Sequence, residues 1–359
     1  MVRKIILATG GSGGHIFPAL ALKDQLIKNN HRVMIIADDR YKKFVKDYDS
    51  KTSFFLSVDN IKKSGIFYKF KALFKLGLSF LQAIFILIKT KPDMVIGFGG
   101  YPSFPTILAA RFLKIKTIIH EQNMVLGNAN RFLARFVDHI AISFPKIRGL
   151  NQRYLDKTTY TGNPVREDIS KISSAKYNHL DENGMINILV LGGSQGAAIF
   201  SEVVPDAIAL ISRELQSKIK ITQQAKENDI EQVLKKYQQL DIRAEVASFF
   251  EDMRSKLSKA SLVITRSGAS SLFELIASNR PGILVPYPYA VADHQLHNAD
   301  YYVGIGAGVR IKQQDFTAEF LASNLTSILN DPDILHQYVD NAKNHQIDGC
   351  KNLIKLIEG

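Results

Sequence analysis

Two glycine-rich turns constrain this chain more than any other feature: GGSGGH at residues 10–15 and GGSQGA at residues 192–197. Each directly follows a short apolar run, Ile5 to Ala8 in one case and Ile188 to Leu191 in the other, and each precedes a stretch with helical patterning. A glycine turn between strand and helix permits positive backbone angles, lets amides approach a charged ligand and aims the positive end of the helix at it. Two matched turns therefore predict two nucleotide-fold halves facing one another, with a diphosphate or a sugar as the natural ligand. The plainer reading, that the glycines only make tight connections, loses ground when the pattern occurs twice. Neither turn ends in GK[ST], so neither is a P-loop. Counting from Gly11, the dinucleotide pattern GxGxxG meets Ile16 where its last glycine should stand, which disfavours a nicotinamide or flavin cofactor.

The organisation around the turns agrees with this. Apolar, β-branched runs recur at residues 4–9, 33–37, 94–98, 116–120 and 139–143, with helix-like segments between most of them. After the turn-forming Asn163 and Pro164, a second series follows at 187–191, 219–222, 244–249, 262–265 and 283–285. Alternation of this kind predicts two doubly wound parallel α/β domains, with ligands beyond the carboxyl ends of the strands and a cleft between domains. The 359 residues suffice for two such cores. The one cysteine, Cys350, allows no internal disulfide and suits a reducing cytosol, and no signal peptide is expected at the start of the sequence.

The formal charge of +12 favours an anionic partner. Between Asp59 and Asp93 there is no acidic residue, while Lys62, Lys63, Lys69, Lys71, Lys75, Lys89 and Lys91 are interleaved with Phe67, Tyr68, Phe70, Phe74, Phe80, Leu81, Ile84, Phe85 and Ile88. Cations among large apolar groups predict contact of this region with an anionic membrane surface rather than with nucleic acid. The uninterrupted apolar stretch 76–88 falls short of the ~20 residues of a spanning helix, so it is expected to lie on a bilayer and not to cross it. A sheet-covering helix with a solvated lysine face fits the same residues. The DPD at 331–333 is read as a helix start, Asp331 capping and Pro332 in the first helical position, and no metal site is expected.

The ordered blocks GGSGGHIFPALAL, GFGGYPSFP (97–105), HEQN (120–123), GNPVR (162–166), GGSQGA, RSGASSLFE (266–274) and DHQLHNA (293–299) resemble the MurG family of N-acetylglucosaminyltransferases. The resemblance runs from the first strand to about Ala299. It implies a GT-B architecture of two Rossmann-like domains, an N-terminal acceptor and membrane-facing domain (1–163), a C-terminal UDP-sugar-binding domain (164–340), and a final helix (341–359) returning to the first. It also implies inverting transfer of N-acetylglucosamine from UDP-N-acetylglucosamine to the muramoyl 4-hydroxyl of lipid I, giving lipid II, by a peripheral enzyme at the cytoplasmic face of the cell membrane. No obligatory cofactor is implied.

Carried over residue by residue, the resemblance places Ser194 on the donor diphosphate and Arg166 as a cation on the nucleotide side. Glu274 would accept both ribose hydroxyls, unless it pairs with a cation such as Arg280. Ala269, Ser270, Ser271, Leu272 and Phe273 correspond to a nucleotide-contacting turn acting largely through its backbone. Phe273 stands where many relatives carry a small residue, so it either narrows the pocket or fills space beneath it. Phe250 matches the position whose main chain reads uracil, Gln295 holds sugar hydroxyls, and Asn298 is a further candidate. Ser12, Gly13, Gly14 and Asn123 match contacts near the donor sugar. Tyr101 and His120 fall on the acceptor side. His15 is the preferred base, because a neutral imidazole titrates near working pH; a loop-fixing role competes, and Glu121 and His120 stand as substitutes. Arg266 is open between ending its strand and touching ligand. The competing functions are transfer to another lipid such as diacylglycerol, a UDP-N-acetylglucosamine 2-epimerase, and a binding module without catalysis.

Overall fold

The computed structural model describes residues 1–45, 48–56, 66–193 and 198–359, the side chains of 66–72 excepted. The chain divides into two compact units, residues 1–166 with 347–359, and residues 167–346. In the first, the strands β1 (Lys4–Ala8), β2 (Arg32–Ala37), β3 (Ser53–Phe55), β4 (Met94–Gly97), β5 (Lys116–Glu121), β6 (His139–Ile142) and β7 (Thr158–Tyr160) form one sheet in the order β3-β2-β1-β4-β5-β6-β7. In the second, β8 (Ile186–Leu191), β9 (Ile219–Gln224), β10 (Arg243–Ala247), β11 (Leu262–Thr265), β12 (Gly282–Leu284) and β13 (Gly308–Arg310) follow the order β10-β9-β8-β11-β12-β13. Every pairing is parallel, as the alternation of strands and helices predicts.

Residue chemistry explains the layering. Ile5, Ile6, Leu7 and Ala8 of β1 are all fully buried, because helices cover both faces of a parallel sheet and leave no solvated side. The helix Gly13–Lys28 turns Ile16, Ala19, Leu22 and Leu26 into the same core. So does the last helix, Gly349–Glu358, through Leu353, Ile354 and Ile357, each such side chain contributing about 1.5–3 kcal/mol by burial. Its entry is fixed by Asp348, whose carboxylate accepts from Lys351 N at 2.9 Å, and by Gly349, where a Cβ would stand 2.4 Å from the Asn163 carbonyl carbon. The preceding helix, Pro332–Asn344, stays in the second unit through Leu335 and Val339. Asp331 caps it, accepting from Asp333 N at 3.1 Å with Pro332 at the first helical position, as read from the sequence.

In each sheet the strand order reverses beside the first strand, between β1 and β4 and between β8 and β11. Chains leaving the carboxyl ends at such a switch point diverge and open a crevice. The segments that leave there are 9–12 and 98–102 in the first unit, and 266–268 in the second, with 192–193 beginning the second glycine turn.

Candidate functional site

In the first unit, glycines let two turns interlock. A Cβ on Gly10 would lie 2.7 Å from Asp38 Oδ2 and 2.8 Å from Pro102 Cδ. Gly100, at φ +77°, passes so close to Gly10 that a side chain there would stand 2.4 Å from the Gly10 carbonyl oxygen. Asp38, buried at the end of β2, accepts from Gly11 N at 3.2 Å and holds the Arg40 guanidinium at 2.5 Å, which lies 5.8 Å from the Tyr101 ring centre. Exposed Ser12 begins the helix Gly13–Lys28, so the amides of Gly13 and Gly14 sit in its first turn at the positive end of the helix dipole.

His15 is half-buried on that first turn. Its Nδ1 lies 2.9 Å from Gln122 Oε1. Gln122 Nε2 in turn lies 3.0 Å from the Phe98 carbonyl, 3.0 Å from His120 Nδ1 and 3.2 Å from the His120 carbonyl. His120 Nε2 faces the Gly162 carbonyl at 3.2 Å and Ser143 Oγ at 3.4 Å. His120 is wholly buried, and burial, reinforced by the nearby His15, lowers its pKa to about 4, so it is neutral at working pH.

Two sequence expectations are corrected here. His120 cannot meet an acceptor, because both ring nitrogens are engaged inside the protein and no surface is exposed. Glu121 is not placed to act as a base. Its Oε1 accepts from Asn123 N at 3.1 Å, and its Oε2 accepts from Gly127 N at 3.0 Å and from Asn130 Nδ2 at 2.8 Å. The carboxylate shapes the 122–127 loop from below, and Asn123 also donates its Nδ2 to it at 3.3 Å. Tyr101 remains exposed. The Arg166 guanidinium lies 5.5 Å from the Phe17 ring centre, which groups it with the first glycine turn.

In the second unit, Gly268 leads from β11 into the helix Ala269–Ala277. No heavy atom among the described residues stands within 4 Å of where its Cβ would be. Ser270, Ser271 and Glu274 are half-exposed, whereas Leu272 and Phe273 point into the core. Phe273 therefore fills space beneath the turn. The Gln295 amide oxygen accepts from Tyr287 N at 3.0 Å, an orientation that turns its NH2 away from that loop. The left-handed residues Ala292 and Asp293 direct the chain into its helix, His294–Gly304, a conformation costly for non-glycine residues. Phe250 is buried.

Three further readings are settled by hydrogen bonds. Arg266 donates to the carbonyls of Val285 and Pro286 at 3.1 and 3.3 Å and to Gln313 Oε1 at 2.7 Å, tying the ends of β11 and β12 together; burial lowers its pKa. Asn298 is buried and donates to the Ser267 carbonyl at 3.1 Å, so its role is to fasten the helix. Arg280 donates to the carbonyls of Leu257, Ser258 and Asn279, which removes it as the expected partner of Glu274. Ser194, with the rest of 194–197, lies outside the described residues. Sequence reasoning passed over Gln122, Asp38 and Arg40. The signal for Gln122 was its spacing from His120: two residues along an extended chain put both on one side.

Comparison with known proteins places this geometry. Residues 5–142 match the glycosyltransferase family 28 N-terminal domain, and residues 187–357 match the corresponding C-terminal domain. The chain is 41% identical over 356 residues to the UDP-N-acetylglucosamine–N-acetylmuramyl-(pentapeptide) pyrophosphoryl-undecaprenol N-acetylglucosamine transferase of Paramagnetospirillum magneticum, covering 99% of this chain and 96% of the relative. It is 40% identical over 332 residues to the same-named protein of Rhodospirillum centenum, covering 91% and 86%. The crystal structure of Acinetobacter baumannii MurG superposes with a TM-score of 0.78 at 29% identity over 99% of each chain. The Staphylococcus aureus MnaA–UDP complex shares the fold, with a TM-score of 0.68 at 14% identity over 99% of this chain and 96% of that one. Two parallel-sheet α/β units of this kind are the Rossmann-like domains of the GT-B class, and by this kinship the chain belongs to glycosyltransferase family 28 and, within it, to the MurG family of N-acetylglucosaminyltransferases.

Proposed function

We propose that this enzyme transfers N-acetylglucosamine from UDP-N-acetylglucosamine to the 4-hydroxyl of the muramoyl group of lipid I, with inversion at the anomeric carbon, giving lipid II and UDP. The single observation that carries this reading is the identity of about 40% across nearly the whole chain with transferases of that name. The first unit handles the acceptor. His15 Nε2 takes the proton of the attacking hydroxyl, the freed oxygen bonds to the anomeric carbon, and the bond from that carbon to the diphosphate breaks with its electron pair passing to UDP. Tyr101 orients the acceptor, the amides of Gly13 and Gly14 with Ser12 and Asn123 approach the donor sugar, and Arg166 supplies a cation toward the nucleotide.

The second unit holds the donor. Glu274 accepts the two ribose hydroxyls, and the amides of Ala269, Ser270 and Ser271, with those of Leu272 and Phe273 behind them, present donors to the nucleotide. The Phe250 main chain reads uracil. Gln295 offers its NH2 to sugar hydroxyls, and Ser194 meets the diphosphate. Charge growing on UDP is stabilised by amides, the helix dipole and a cation, without an obligatory metal.

The enzyme works as a peripheral protein on the cytoplasmic face of the cell membrane. Support comes from the helix Ile66–Thr90, which leaves Leu73, Phe74, Leu78, Leu81, Phe85 and Ile88 exposed alongside Lys75 and Lys89. Its segment Leu73–Thr90 has mean hydropathy 1.6, enough in length and composition to cross a bilayer. Yet Ser79, Ala83 and Leu87 are buried within the first unit, and a face committed to protein supports a helix lying on lipid over one crossing it.

The test is an assay with labelled donor and three acceptor arms: lipid I, diacylglycerol, or none. Lipid II from the first arm alone is expected. A labelled diacylglycerol glycoside, or a 2-epimer formed from donor alone, would overturn the proposal.

A further inference from the structure

The hydrogen bonds around His15 can have only one sense. An amide nitrogen donates and an amide oxygen accepts, so the orientation of Gln122 follows from its neighbours. On one side of its amide stand two carbonyl oxygens, of Phe98 at 3.0 Å and His120 at 3.2 Å, neither of which can donate. The NH2 must face them, and with it His120 Nδ1 at 3.0 Å. The oxygen therefore faces His15 at 2.9 Å, and a neutral His15 must carry its hydrogen on Nδ1. Its lone pair is then on Nε2, the opposite ring nitrogen from the one a free neutral imidazole side chain leaves unprotonated. The chain continues consistently inward. His120 Nδ1 accepts from Gln122, so the His120 hydrogen lies on Nε2 and is given to the Gly162 carbonyl at 3.2 Å. Gly99 closes the other side of the His15 ring, since a Cβ there would lie 3.0 Å from Cε1 and Nδ1.

We infer that Gln122 is a positioning residue for the transfer: it locks His15 in the Nδ1–H tautomer, so that Nε2 is the nitrogen that receives the acceptor proton. This rests on the reading of His15 as the base. Gln122 touches neither substrate; it acts by removing the unproductive tautomer and holding the ring plane, and His120 with the Gly162 carbonyl sets the amide that does so. A carboxylate more often fills this role beside a histidine base. An amide oxygen selects the same tautomer without placing a full negative charge beside the ring.

Histidine-labelled enzyme, read by long-range proton–nitrogen correlation at neutral pH, reports the tautomer directly, with His15 assigned by the signals missing from His15→Gln. Wild type should show hydrogen on Nδ1 and a bare Nε2. A hydrogen on Nε2 overturns the inference whatever the variants do. In Gln122→Met the His15 signals should shift toward the other tautomer and kcat fall about tenfold, with the donor KM unchanged, since a misplaced base forfeits part of the 10²–10⁴-fold that base catalysis supplies. Gln122→Glu keeps an oxygen facing Nδ1 and, with its second oxygen protonated to donate toward the Phe98 and His120 carbonyls in place of the NH2, should restore the tautomer and most of kcat. A Gln122→Met enzyme with wild-type tautomer and kcat overturns the role of Gln122; should that variant not fold, a Gln122→Glu enzyme with the opposite tautomer does so. His15→Ala separates the two readings. If it retains turnover, the base assignment falls; if it loses turnover while Gln122→Met does not, only the present inference falls.

Discussion

The two units solve one topological problem in unlike ways. Each must carry the chain from the outer strand of its first half back to the centre of the sheet, from β3 to β4 and from β10 to β11. The second unit does this with seven residues, Met253–Lys259, capped by Asp252 on Ser255 N at 2.9 Å and burying Leu257. The first unit uses the 25 residues of Ile66–Thr90 and leaves a row of large apolar side chains in solvent. Since about two turns suffice for the crossover, the surplus apolar surface of the longer helix is not demanded by the fold. The strand ends differ in the same spirit. The first unit gathers a buried imidazole and an amide around His15, whereas the second offers helix amides and half-exposed hydroxyl, carboxylate and amide groups. On the function proposed above, one unit moves a proton and the other grips a polar ligand.

The sharpest way to break that division is to remove its proton acceptor. His15→Ala should lower kcat by about 10²–10⁴-fold, the range that a general base contributes, with the donor KM changed less than threefold. A loss confined to KM, measured by initial rates over a donor series, would erase the distinction between the units.

Next in size is a stability effect peculiar to the first unit. His120 has its pKa lowered from 6.5 to about 4 by burial, so on acidification the unfolded chain binds a proton before the native one does. The associated stability is intact above pH 6.5, declines as pH falls toward 4, and changes no further below that, a span worth about 3 kcal/mol. Denaturant titrations at pH 7 and pH 4.5 should show this decline in wild type and a decline about 2 kcal/mol smaller in His120→Gln. Equal declines would mean that His120 is protonated as readily in the native state as in the unfolded one.

For the second unit, Glu274→Ala removes a charged acceptor whose hydrogen bonds are worth about 1.5–3 kcal/mol. The donor KM should rise about 10–100-fold, with kcat at saturating donor nearly preserved and the unfolding midpoint unmoved. A fall in kcat at unchanged KM would make Glu274 part of the chemistry and dissolve the comparison from the other side.

Much of this was legible in the sequence because parallel sheets announce themselves. Strands buried on both faces read as continuous apolar runs, and Ile5 to Ala8 and Ile188 to Leu191 are such runs. The strands that escaped, β3, β7 and β13, are three-residue sheet edges, too short and too exposed to carry a pattern. Among the site residues, the sequence identified the residue types and the motifs that hold them but not which way each side chain faces. HEQN contains four polar side chains in succession, and only the burial of β5 on both sheet faces decides that His120 and Glu121 turn inward while Asn123 stays near the surface. Arg266 and Asn298 were ambiguous for the same reason: a long polar side chain beside a ligand turn can reach a ligand or a carbonyl, and here both reach carbonyls.

The mildest test returns to the crossover helices. Phe85 is 68% exposed, so Phe85→Ser should change stability by less than about 0.5 kcal/mol. If the surplus surface of Ile66–Thr90 meets lipid, the same change removes a side chain whose transfer from water is worth about 1.5–3 kcal/mol when complete, and vesicle binding should weaken about tenfold. Flotation with vesicles of anionic and neutral phospholipid measures it, with Ser258→Glu on the short helix of the second unit as the matched control, expected to float as wild type does. Equal flotation of both variants, or of neither protein at low salt, would leave the long helix without its lipid role, because only a difference between the two crossovers ties the apolar row to a surface that the fold itself does not require.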